Sequence, residues 1–249
     1  MPYREHYRQL WVQAGYRGDI GSAAAAMPPS PECRRVFYLT SAEYALSNIV
    51  FKRIKVSRLA TLNDPFEVLS QIAPSSTFRR RMVELKHQLN AEIGVLSFSS
   101  DWTDPVLWAH YGARNSGICL GIDVPKALLK QIDYRTERLQ PKEIPEADLT
   151  IQNELLIEQL LTTKFASWNY ENEFRRIVKL SDTTQEGDLH FLNFAEDLRL
   201  GEVIIGPMCH LNHEKVREVA AGANPAVTVY KARLAHNFFK LVPDEATIP

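Results

Sequence analysis

Two carboxylates, Glu171 and Glu173, stand two residues apart in the stretch WNYENEFRRIV, Trp168 to Val178. Aromatics precede them, and Arg175, Arg176 and an apolar β-branched run follow. In an extended chain, residues two apart point to the same side. The stretch therefore predicts a strand entrance with two like charges on one face. Two readings fit. In one, the pair is an ion-paired sheet edge, with Glu173 and Arg175 on a common face. In the other it is a catalytic carboxylate pair.

Other residues of suitable type lie along the chain. Ser97, Ser99 and Ser100 close the apolar run IGVLSFSS, and Arg34 and Arg35 open RRVFYL, which also holds Tyr38. His110 and Tyr111 follow Trp108 in WAHY. Asn63, Asp64 and Glu67 sit in LNDPFE, where capping and turn chemistry accounts for the first two. Cys209, His210 and His213 in CHLNH have metal-like types, but no second cluster at zinc spacing completes them, so no metal is expected. Arg79, Arg80 and Arg81 form a basic helix face, read as solvated or as a nucleic-acid contact.

The elements that must position these residues can be read in order. RVFYL is a strand. TSAE is a capping box, with Thr40 as cap and Glu43 reaching back. Ala45, Leu46, Ile49 and Val50 continue at helical spacing, and RIKVS alternates as a second strand. Asp64-Pro65 and Asp104-Pro105 both read as helix starts. STFRRRMVELKHQLNAE is a helix, IGVLSFSS a strand, and SGICLGIDV a strand with glycines where only a small residue fits. EADLTIQNELLIEQLLTTKF is an amphipathic helix. NEFRRIVKL and LRLGEVIIGPM are strands, HEKVREVAAGA a helix, and AVTVYKARL a last strand. Strands and helices mix without regular βαβ alternation, which predicts an α+β fold with mixed, mainly antiparallel sheets flanked by helices.

Residues 1–33 are expected to form an appendage, a helix over 4–15 followed by a Gly-, Ser- and Pro-bearing linker. Residues 34–249 are expected to form a single α+β domain, long enough to bury a sizeable core. The 249-residue chain has a net charge of −1, so no global basic field points to nucleic acid. Its three cysteines are far apart in sequence, which suits a reducing compartment. No secretory signal or bilayer-spanning run is apparent. A cytoplasmic location is expected, with no membrane partner.

VSRLATLNDPFE, LSFSSDWTDPVLWAHYGARNSGICLGID, WNYENEFRRIV and EVIIGPM together resemble the bacterial domain-of-unknown-function family 2971. That family carries an Asn-Asp-Pro-Phe-Glu turn, a Trp-x-His-Tyr helix and a Trp-x-Tyr-Glu-x-Glu-Trp-Arg strand entrance. The resemblance runs from about Val36 to Met208, and departs at Phe174, where the family usually has Trp. The element order is also similar to the ADP-ribosyltransferase fold, which implies a split sheet and NAD as substrate. On that likeness Glu173 would stabilise the oxocarbenium-like charge on the ribose, and Glu171 would orient or deprotonate an acceptor. Ser97 and Ser99 would bond the ribose, Arg35 would fork onto a phosphate, and Tyr38 or Tyr111 would stack on nicotinamide, with His110 beside them.

Three functions follow as expectations. The first is an NAD-consuming ADP-ribosyltransferase or NAD glycohydrolase acting on a macromolecule, protein or nucleic acid, in the manner of a toxin or phage-defence effector. The second is a non-catalytic module that binds nucleic acid or protein. The third is a metal-dependent nuclease using Asp64, Glu67 and Glu171. The first predicts a pocket lined by Glu173, Ser97 and Tyr38 or Arg35. The second predicts Glu173 buried and paired with arginine.

Overall fold

A computed structural model of the chain describes residues 29–247. The helix expected over 4–15 and most of the linker after it lie outside these residues. Helices combine with mixed, mostly antiparallel strands, so the fold class is α+β, as the sequence predicts. Packing separates two compact units, each discontinuous in sequence. Residues 29–53, 98–126 and 194–247 make the first, and residues 54–97 and 127–193 the second. No helix among the described residues is long and apolar enough to cross a membrane.

The first unit is built on β1 (Cys33–Thr40) and β4 (Ile118–Pro125), paired antiparallel along their whole length. β11 (Arg199–Ile205) lies antiparallel on the other edge of β4, with a bulge between Leu200 and Glu202. β12 (Thr228–Leu234) joins β11 in parallel, and β13 (Leu241–Pro243) closes that edge. β4 is buried at every position but its last, as expected for a strand covered on both faces. Helix α1 (Ala42–Val50) packs against α5 (His213–Ala223). The cap of α1 is Ser41, which accepts from the Tyr44 N–H, not the expected Thr40. Thr40 remains the last residue of β1, paired opposite Ile118. Helix α3 (Pro105–His110) starts as predicted, with the Asp104 carboxylate accepting from the Val106 N–H.

The second unit packs α2 (Ser76–Glu92) and α4 (Glu154–Thr162) over a core that includes Val68, Leu139 and Ile144. Phe78, Met82, Leu85 and Leu89 give α2 one apolar stripe, and Leu156, Ile157, Leu160 and Leu161 do the same for α4. Each such side chain contributes about 1.5–3 kcal/mol on full burial. β2 (Arg53–Arg58) and β3 (Ile93–Ser99) pair antiparallel through Ser57–Val95 and Arg58–Gly94. β8 (Glu173–Lys179) pairs with β3 and with β5 (Lys130–Gln131). β9 (Thr184–Glu186) and β10 (Leu189–Asn193) form a hairpin. A separate pair of short parallel strands, β6 (Asp133–Arg135) and β7 (Thr163–Phe165), completes the unit.

Two elements differ from the sequence reading. No α-helix follows Asp64-Pro65. The Asp64 carboxylate accepts from the Phe66 N–H, the Asp64 carbonyl accepts from the Glu67 N–H, and Val68 then turns left-handed at φ 64°. A β-branched residue at positive φ costs free energy, and here complete burial of the Val68 side chain holds it in place. The run from Glu146 to Phe165 is likewise not one helix. It is a short turn at Glu146–Asp148, then α4 capped by Asn153, then β7. The Thr162 and Thr163 hydroxyls bond back to the Glu158 and Gln159 carbonyls where α4 ends.

Candidate functional site

In the second unit, Glu171 and Glu173 come together through a turn rather than through strand alternation. A 3-10 helix spans Ala166–Glu171, Asn172 follows in the left-handed region at φ 45°, and Glu173 opens β8. Asn tolerates that conformation better than most residues. The reversal turns both carboxylates onto one ammonium, that of Lys164, which β7 carries inward. Lys164 Nζ lies 2.5 Å from Glu171 Oε2 and 3.0 Å from Glu173 Oε2. It also stands 4.9 Å over the Trp168 ring, a cation–π contact.

Arg175 closes the other side. Its Nε and Nη2 donate to Glu173 at 2.7 and 3.1 Å. Its Nη1 donates to Glu67 Oε1 and, at 2.7 Å, to the Leu161 carbonyl, while Nη2 reaches Glu67 Oε2 at 3.2 Å. The Asp64–Val68 turn thus aims Glu67 inward. The Glu173 N–H donates to the Tyr134 hydroxyl at 2.8 Å. All five charged side chains are buried, Arg175 and Glu67 at 1% exposure and Glu173 at 3%.

The electrostatics follow from this geometry. Burial pushes the Glu173 carboxyl up, but Arg175, Lys164 and the Ser97 hydroxyl outweigh it and hold it down at about 2. Burial pushes the Lys164 ammonium down, and Glu173 and Glu171 more than restore it. The Tyr134 phenol is raised mainly by burial. Glu173 is therefore held in its ionised form well below the usual carboxylate range, with both oxygens engaged.

Lys164 also lines a cavity of about 240 Å³, with Phe66, Ser70, Arg135, Arg138 and Phe165 among its walls. Neither Glu171 nor Glu173 lines it.

The remaining predicted residues belong to the first unit, where they have other duties. Arg35 is buried, and its fork grips Asp123, Nε to Oδ1 at 2.7 Å and Nη2 to Oδ2 at 3.0 Å. The two residues are directly opposite on β1 and β4. Arg199 adds a third bond to Asp123 at 3.0 Å. Glu202 Oε2 lies 3.7 Å from Arg35 Nη1, and its Oε1 accepts from the Tyr230 hydroxyl at 2.8 Å. Burial pushes the Glu202 carboxyl up, partly offset by Arg35 and Tyr230. Two glycines make room for this cluster. A Cβ at Gly121 would stand 2.7 Å from the Glu202 Cβ, and one at Gly201 would run into the Arg35 guanidinium.

Tyr38 is half-buried, meets Phe98 edge-on at 6.3 Å, and has its phenol raised by burial. The Ser99 hydroxyl donates to the Asp101 carbonyl and accepts from the Asp101 N–H, which makes it a turn former. His110 is exposed at the end of α3, tilted against Tyr111 at 6.1 Å. Of the predicted residues, Ser97, Glu171 and Glu173 thus converge. Among the described residues, no three His, Cys, Asp or Glu side chains gather as a metal site requires, and Glu67 faces Arg175 instead.

The sequence reading did not single out Lys164, Tyr134, Asp123 or Glu202. A lone Asp or Glu inside an apolar strand, as in GICLGIDV and GEVIIG, was the available signal for the last two, since such a charge is seldom buried without a partner.

No family model, no curated protein and no solved structure matches the chain.

Proposed function

We propose that the chain is a non-catalytic binding module, in which the Glu-x-Glu motif braces the second unit and recognition falls to the cavity beside Lys164. One observation carries this reading. Both oxygens of Glu173 are bonded to Arg175 and Lys164 at 2.7–3.1 Å, in a side chain 3% exposed. A carboxylate so placed is unable to meet the ribose of NAD without breaking two ion pairs, and breaking a buried pair costs about 3–5 kcal/mol. Arg35, the group that would take a phosphate, is spent on Asp123. The resemblance to family 2971 assigns no activity, so it is neutral between the two readings.

The test is NAD turnover. Purified full-length protein and the Glu173→Gln variant are incubated with NAD and cell lysate, and nicotinamide release and protein mass shifts are read by mass spectrometry. The binding module releases no nicotinamide above a protein-free blank. Release by the wild type that the variant loses would instead establish the ADP-ribosyltransferase or NAD glycohydrolase.

A further inference from the structure

The cavity beside Lys164 has the chemistry of a specific ligand class. Its walls include two phenylalanines that are half exposed, Phe66 at 48% and Phe165 at 49%. Large apolar side chains left open at a concave site offer flat surface to a partner. The Arg138 guanidinium lies over the Phe66 ring, 4.5 Å from its centroid, and makes no ion pair among the described residues. A planar cation over an aromatic ring presents a second flat surface, suited to stacking.

Ser70, Arg135, Thr136, Glu137, Arg138, Thr163 and Lys164 supply the polar part of the lining. Ser70 is 8% exposed, and its hydroxyl has no hydrogen-bond partner among the described residues. Buried hydroxyls are normally bonded, so an orphan on a cavity wall marks a place where a ligand supplies the missing partner. Thr163 and Lys164 also line the cavity, and both are already engaged, with the Gln159 carbonyl and with Glu171 and Glu173. Arg135 is likewise paired, with Asp133 and Glu143 at 2.9 Å each. Glu137 adds an exposed carboxylate. Charge around the cavity is therefore largely matched, and a strongly anionic ligand gains little there. The volume, about 240 Å³, falls below the roughly 300–1,000 Å³ of typical ligand pockets and suits one ring system.

We infer that this cavity binds one planar heteroaromatic ring with a hydrogen-bonding edge, of nucleobase type, its faces held by Phe66, Phe165 and Arg138 and its edge by Ser70 Oγ. This names the ligand class of the binding module proposed above, and rests on that reading for the cavity being the recognition site.

The experiment titrates full-length protein with adenosine, guanosine, cytidine and uridine, one at a time, by ligand-observed NMR and calorimetry. At least one nucleoside binds with a submillimolar Kd. Phe165→Ala, an exposed position, weakens that binding about tenfold or more, the usual cost of losing a base-stacking ring. Ser70→Ala weakens it about fivefold, as one hydrogen bond implies, while the unfolding temperature of the free protein stays the same or rises. The pairing of weaker binding with undiminished stability distinguishes a ligand contact from a structural one. Failure of all four nucleosides to bind at millimolar concentration overturns the inference, as does binding that neither variant weakens. Neither result bears on nicotinamide release, so failure here is separable from failure of the non-catalytic reading.

Discussion

The two units each bury a cluster of carboxylates and arginines, and one carboxyl in each shifts in the opposite direction to the other. In the second unit Glu173 faces Arg175, Lys164 and Ser97 at bonding distance and stays ionised down to about pH 2. In the first unit Glu202 Oε2 lies 3.7 Å from Arg35 Nη1, the Arg35 fork grips Asp123, and burial raises the Glu202 carboxyl above the ordinary range. The closeness and number of the contacts to arginine and lysine set how far they offset the burial of a carboxyl. Register decides the matter: Arg35 is directly opposite Asp123, while Glu202 stands beyond a bulge on the next strand.

The two arginines carry the largest expected effects. Arg175→Met leaves Glu67 and Glu173 facing each other in the core, with only Lys164 for compensation, and is expected to cost about 3–5 kcal/mol in urea unfolding. Arg35→Met leaves Asp123 with Arg199 and Glu202 with Tyr230, and is expected to cost less, about 2–3 kcal/mol. Equal losses would mean the clusters are not different in kind. Gly201→Ala tests the packing of the first cluster alone. The new methyl displaces the Arg35 guanidinium, with an expected loss of about 1–3 kcal/mol by the same measurement. An unchanged midpoint would show that Arg35 has room to move.

A smaller effect sharpens the contrast through its sign. A carboxyl whose folded pKa is raised contributes stability below its unfolded value, near 4.5, and loses it as pH climbs toward the folded value. Glu202→Gln mimics the protonated acid. The melting temperature of the wild type should therefore fall relative to this variant as pH rises from 4 to 7. A difference that runs the other way would place Glu202 in the same electrostatic class as Glu173.

Much of the architecture is legible in the sequence because it is periodic. α2 and α5 are read with their observed bounds, and β1, β2, β3, β4, β8, β11 and β12 are found as strands. The short strands β5, β6 and β7, of two or three residues, carry too few residues to show a period. β7 is the costly omission, since it holds Lys164. The TTKF run continues the helical pattern of α4 until the threonine hydroxyls end it. Glu171 and Glu173 are legible as a pair, but what joins them is a left-handed Asn172 after a 3-10 turn, which alternation does not encode. Arg35 is legible as a candidate phosphate fork. Its partner Asp123 is 88 residues away, and only strand register brings the two together.

On the reading proposed above, Glu173 is a brace. The most direct measurement is the unfolding free energy of the wild type and Glu173→Gln in urea, taken at pH 7 and again at pH 3. Because the folded Glu173 carboxyl lies at about 2, well below its unfolded value of 4.5, its contribution is complete above the unfolded value and disappears as pH falls through the folded one. The account predicts that Gln costs about 2–3 kcal/mol at pH 7 and that the gap narrows at pH 3. A variant as stable as the wild type, or more stable, at pH 7 would contradict it. That outcome is the mark of a carboxylate kept for catalysis at the expense of the fold.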